Sequence, residues 1–81
     1  MCRIIDPVAT GKNIRALCKE RGLSTNAIAK ALSLSDRRTV FYWFSGVSLP
    51  TLDNLYMLSG LLNVPLEKLI IAQNKNEPPN K

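Results

Sequence analysis

Histidine is absent from this chain, and cysteine occurs only at Cys2 and Cys18. Neither a zinc site with four protein ligands nor a Cys-His nucleophile pair can therefore be assembled. Acidic residues are few as well. Asp6, Glu20, Asp36, Asp53, Glu67 and Glu77 are scattered and stand mostly where helices begin, not in pairs suited to acid–base work. No glycine-rich phosphate loop occurs. These absences weigh against an enzyme, and no metal, cofactor or small-molecule ligand is expected. No run approaches the roughly 18 apolar residues that a membrane span needs. No predicted helix joins a lysine-rich face to a broad apolar face, as a membrane-surface binder would. The opening Met1-Cys2-Arg3-Ile4-Ile5-Asp6 is too short and polar for a signal peptide. A cytoplasmic location is the expectation, with reduced thiols. Cys18, beside Leu17 in a helical pattern, reads as a small apolar packing residue.

What is present is an 81-residue chain, the size of one small domain, with hydrophobic residues at 46%, a globular composition. Eleven Lys and Arg against six Asp and Glu give a net charge of +5. With a pI near 9.6, nucleic acid or an anionic surface is the indicated partner.

Periodicity predicts five helices and no strand, apart from a short extended piece at Arg3-Ile4-Ile5. The first helix opens at Asp6-Pro7, carries Val8, Ile14, Leu17 and Cys18 on one side, and ends at Gly22. Its other faces hold Lys12, Arg15, Lys19 and Arg21, either a solvated surface or part of a phosphate-binding one. Ser24 caps a second, short helix with Ile28, Ala29 and Leu32 inward; Ala27, Ala29 and Ala31 allow a neighbour close approach. After a tight turn, Ser35 or Asp36 caps a third helix over residues 37–45, closed by Gly46. Thr51 caps a fourth with Leu52, Leu55, Leu58, Leu61 and Leu62 on its apolar side. A fifth begins at Pro65 with Leu66, Leu69 and Ile70 facing the core. Residues 1–5 read as an N-terminal arm, 6–72 as the domain, and 73–81 as a disordered tail.

Two short helices joined by a tight turn, the second with arginines at its start, can lay one helix across phosphates and the next into the major groove. Arg37 and Arg38 stand at that start, and arginine bonds O6 and N7 of guanine through two parallel contacts. Phosphate contact or simple solvation would suit them too. Phe41-Tyr42-Trp43-Phe44 puts four aromatics in a row, and so short a helix cannot bury them all. Val40, Trp43 and Phe44 suffice for packing. Phe41 and Tyr42 are left outward, to meet thymine methyls or the sugar backbone, or to pack on a neighbouring helix or second protomer.

The segments Gly11-Lys12-Asn13-Ile14-Arg15-Ala16-Leu17, Lys19-Glu20-Arg21-Gly22-Leu23-Ser24 and Ile28-Ala29-Lys30-Ala31-Leu32 resemble the Cro and phage-repressor (XRE-type) helix-turn-helix family. The resemblance continues through Thr39-Val40-Phe41-Tyr42-Trp43-Phe44-Ser45-Gly46, Leu49-Pro50-Thr51-Leu52-Asp53-Asn54-Leu55 and Leu62-Asn63-Val64-Pro65-Leu66-Glu67-Lys68-Leu69. It covers residues 11–70. It implies an all-α, compact five-helix bundle of the lambda-repressor-like kind, from a bacterium or phage, that binds double-stranded operator DNA, commonly as a symmetric homodimer. By position, Arg37, Arg38, Thr39, Phe41 and Tyr42 would read bases. Lys12, Arg15, Lys19, Thr25, Asn26, Ser45 and Ser48 would hold the backbone. A homodimer would form through the fourth and fifth helices, where Leu61, Ile70 and Ile71 offer an apolar patch. The competing reading is a protein-interaction module of the same fold that docks through the aromatic face of the third helix.

Overall fold

The computed structural model describes residues 4–73, so residues 1–3 of the predicted arm and 74–81 of the predicted tail lie outside the described residues. The order is α1 (Pro7–Glu20), α2 (Thr25–Ala31), α3 (Arg38–Ser45), α4 (Leu52–Leu62) and a single 3-10 turn (Leu66–Lys68). The starts are set by side chains that accept otherwise unpaired amide protons. Asp6 accepts from Ala9 N at 3.0 Å, Ser24 from Ala27 N at 3.1 Å, and Thr51 from Asn54 N at 3.3 Å. For α3 the acceptor is Asp36, whose Oδ1 takes Arg38 N at 2.9 Å.

The ends share one device. After α1, Gly22 at φ +70° lets Leu23 N reach back to Cys18 O at 2.9 Å. Gly46, at φ +84°, does the same for Val47 N and Tyr42 O at 3.0 Å. At the end of α2 the left-handed residue is Ser33, at φ 57°, and Leu34 N bonds Ala29 O at 2.8 Å. The turn from α2 to α3 thus begins with the helix-ending motif that glycine normally serves.

Ile14, Ile28, Val40, Leu58, Leu62 and Leu69 are fully enclosed, and Trp43 nearly so. Each buried aliphatic side chain contributes roughly 2 kcal/mol or more. Two expected core positions are corrected, since Val8 and Leu52 lie exposed, and Ala31, expected to allow a neighbour close approach, is exposed as well. Val8 lies instead over Gly46, and a Cβ there would come within 2.8 Å of the Val8 side chain. The first helix buries Thr10 and Gly11 in its place.

The described residues contain four helices, not five. Beyond Lys68 the chain leaves helical geometry because α1 supplies competing partners. Thr10 Oγ1 accepts Ile71 N at 3.0 Å, and Asn13 Nδ2 donates to the carbonyls of Lys68 and Leu69. The backbone then runs extended beside the N-terminus. Asp6 N donates to Ile71 O and Gln73 N to Ile4 O, both at 2.8 Å, flanking an antiparallel bridge between Ile5 and Ala72. The short extended piece expected at Ile4-Ile5 is this clasp. Leu61, Ile70 and Ile71 are half-buried, the first two packed on the core. One exposed apolar face lies on α4, where Leu52 is 73% and Tyr56 72% exposed.

Two sites check this packing. Gly60 sits inside α4 with nothing within 4 Å of an added Cβ. Gly60→Ala is expected to stabilise the domain by about 0.5–1 kcal/mol, read as a raised urea midpoint; an unchanged or lowered midpoint would count against an open α4 face. Cys18 is 1% exposed, and burial pushes its thiol from 9.0 up to about 11. The folded state holds that proton more tightly, so this contribution is complete below pH 9.0 and drains away as pH rises to about 11. Relative to Cys18→Ala, the natural protein is expected to lose roughly 3 kcal/mol across that window, measured by urea unfolding. Parallel pH profiles for the two proteins would refute the burial argument.

Candidate nucleic-acid interface

Three helices converge on one groove. Gly11 lets α1 lie directly on the C-terminal half of α3, where a Cβ would fall 2.8 Å from Phe44 O and closer still to Trp43 O. One turn further along α1, Arg15 reaches the rim of a groove of about 530 Å³, lined also by Thr25, Phe41, Tyr42, Phe44, Ser45 and Val47. Thr25 is the first residue of α2, placed there by the Ser24 cap. Two predicted base-reading residues, Phe41 and Tyr42, thus share a surface with three predicted backbone contacts, Arg15, Thr25 and Ser45.

The aromatic division follows the helical period. Trp43 is buried, Phe44 half-buried against the core, and Phe41 and Tyr42 are 48% and 46% exposed. Val47, which sequence reasoning passed over, is 73% exposed at the same groove. Its position gave no signal, because Leu23 and Leu34 follow the same helix-ending motif and yet pack on the core.

At the other end of α3 the polar groups are interlinked. Arg38 Nε donates to Asp36 Oδ2 at 3.1 Å, which leaves the two Nη groups to face an outside acceptor. The Arg38 amide, then the charges of Arg38 and Arg37, hold the Asp36 carboxyl below its ordinary 3.8. It is therefore ionised at neutral pH, and its support for the α3 start is lost only as pH falls below that value. Arg37 donates to Asn26 Oδ1 at 3.2 Å, joining the start of α3 to α2 across a second hollow lined by Ala27, Lys30, Leu34 and Ser35. Thr39 is half-buried, whereas Lys12, Lys19 and Ser48 are exposed outside the groove. Arg21 is drawn away: its Nε and Nη2 donate to Leu62 O at 2.9 and 2.7 Å, capping α4.

No helix among the described residues is long and apolar enough to cross a membrane, and none of their His, Cys, Asp and Glu side chains gathers in a group able to hold a metal.

A short α2, a tight turn and a partly exposed α3 bearing arginines at its start define a helix-turn-helix domain. Residues 14–69 match the helix-turn-helix family model. The chain belongs to that family, in its Cro/C1 (XRE) type, a class of DNA-binding transcriptional regulators. Among solved structures it is similar to the restriction-modification controller protein C.AhdI from Aeromonas hydrophila, at 30% identity and a TM-score of 0.72, covering 79% of this chain and 96% of that one. It is also similar in fold to the DNA-binding domain of BldD, at 21% identity and a TM-score of 0.68, covering 82% and 94%. No curated protein sequence matches it.

Proposed function

We propose that this chain binds operator DNA sequence-specifically, as a repressor-like transcriptional regulator, with α3 in the major groove. The observation that carries this reading is the convergence of Arg15, Thr25, Phe41, Tyr42 and Ser45 on one surface. A helix fits the major groove, where every base pair has a distinct pattern of donors and acceptors. Arg37, Arg38, Thr39, Phe41 and Tyr42 read base edges. Lys12, Arg15, Lys19, Thr25, Asn26, Ser45 and Ser48 hold phosphates and sugars. In this reading the protein works as a homodimer through the exposed Leu52, Tyr56 and Met57 of α4, beside a hollow that Leu66 and Asp53 complete. Large apolar side chains grouped in this way on a small domain favour a partner.

Selection of bound duplexes from a random pool, at low and at near-physiological salt, tests the reading. A palindromic motif with half-sites about one helical turn apart is expected. Recovery of no motif at either salt would overturn it and favour protein docking through the exposed Phe41 and Tyr42. At residue level, Arg38→Ala is expected to cost about 1–3 kcal/mol on the selected duplex and to relax preference at one base pair, measured by fluorescence anisotropy. An equal loss on all duplexes would make Arg38 a phosphate contact.

A further inference from the structure

The middle of the α3 surface carries no formal charge. From residue 39 to residue 52 there is no Asp, Glu, Lys or Arg, and the groove in that stretch is built from Phe41, Tyr42, Phe44 and Val47 with the small hydroxyl of Ser45. Cationic side chains flank this stretch: Arg15 stands at the groove's rim from α1, while Arg37, just before α3, and Arg38, its first residue, lie at the other end of the helix. No acidic residue lines the groove. A surface with cations at the rim and hydrocarbon at the centre fits a polyanion whose central contact is apolar.

The major-groove edge of duplex DNA has one apolar projection, the methyl group at C5 of a pyrimidine; the other atoms displayed there are donors and acceptors. Pressed against Phe41 or Val47, a guanine O6 or an unmethylated cytosine N4 would lose water without gaining a partner. A C5 methyl would gain burial and lose nothing. Building on the proposed operator reading, we infer that the Phe41–Val47 groove is a reader of pyrimidine C5 methyl groups. Its ligand class is thymine and 5-methylcytosine, and Phe41 and Val47 determine specificity within the groove. Arg15 and Thr25, on the same rim, hold the flanking backbone and fix the depth to which the methyl group enters. It follows that cytosine methylation within the half-site strengthens binding where the methylated base faces this groove.

The test uses the full chain and the best duplex from the selection, resynthesised with deoxyuridine in place of one thymine at a time. At one or more half-site positions, losing the methyl group is expected to weaken binding about fourfold. A 5-methylcytosine–guanine pair at that position should bind more tightly than cytosine–guanine by a similar factor. In Val47→Ser and Phe41→Ala, both at exposed positions, the thymine-to-uracil and methylcytosine-to-cytosine differences should fall toward unity. That double comparison separates a direct contact from a change in duplex shape. If all duplexes bind with steep salt dependence, yet no thymine-to-uracil change matters, the inference fails and the operator reading stands. If the variants keep the full methyl discrimination, Phe41 and Val47 are not its source and the inference fails. If no duplex binds at any salt, both fall together.

Discussion

Gly11→Ala is expected to destabilise the domain by about 3 kcal/mol or more, although alanine is the better helix former. Propensity favours alanine by about 1 kcal/mol in a helix interior. Against it stands the Cβ, which would fall 2.8 Å from Phe44 O and nearer to Trp43 O. Those are backbone atoms of α3, so no rotamer change relieves the overlap. α1 and α3 must separate, and the core around Ile14, Val40 and Trp43 opens with them. In a domain of this size each kcal/mol moves the melting temperature by about 4–8 °C. A fall of about 12–25 °C in a calorimetric scan is therefore expected, if the variant folds at all. Gly60→Ala is the internal control, because it makes the same chemical change in a helix with open space around it. An unchanged or raised melting temperature for Gly11→Ala would mean that the two helices are not in direct backbone contact. The substitution should also weaken duplex binding by the folded fraction, since it displaces Arg15 from the Phe41–Tyr42 groove.

The features that local chemistry controls were legible in the sequence. Asp6, Ser24 and Thr51 each cap the helix that follows, because capping joins residues three apart; at α3 the cap position is Arg37, and Asp36, one residue earlier, accepts the Arg38 amide instead. The outward turn of Phe41 and Tyr42 follows from the helical period and a core already filled by Val40 and Trp43. The fifth helix was not legible as it stands. Pro65, Leu66, Leu69 and Ile70 have helical spacing, but the amide of Ile71 finds Thr10, which is 61 residues away in the chain. A pattern that spans one segment cannot report a competitor on another. Arg21 was lost for the same reason: as a surface cation it resembles Lys19, and only the approach of α4 turns it toward Leu62 O. Val8 and Leu52 satisfy the apolar period at the first turns of α1 and α4, where the helix has run past the core. Leu61 and Ile70, expected to leave an apolar patch, pack against the core instead, while Leu52 and Tyr56 lie exposed; only the approach of the other elements, invisible to a single segment's pattern, decides which is which.

Arg15 on α1 and Arg21, the residue that follows its last turn, stand six positions apart, and salt should separate their roles. Each phosphate neutralised contributes about −0.9 to the slope of log affinity against log salt. With three cations per protomer on phosphates, a two-fold dimer has a slope near −5 and loses about a thousandfold in affinity between 50 and 200 mM salt. Arg15→Gln removes one cation per protomer. The slope should become shallower by about 0.9 for a bound monomer and by about 1.8 for a symmetric dimer, so one substitution reports both the contact and the stoichiometry. Arg21→Gln removes the same charge just past the end of that helix, but that guanidinium is committed to Leu62 O. It should leave the slope unchanged and instead lower the unfolding midpoint, by about 1 kcal/mol for the lost helix-end charge and hydrogen bonds. Anisotropy titrations at four or five salt concentrations, with urea melts of the same preparations, decide the matter. Equal changes in slope for the two variants would show that α1 contributes only diffuse charge, and the groove shared by Arg15, Thr25 and Tyr42 would then have no special place in holding DNA.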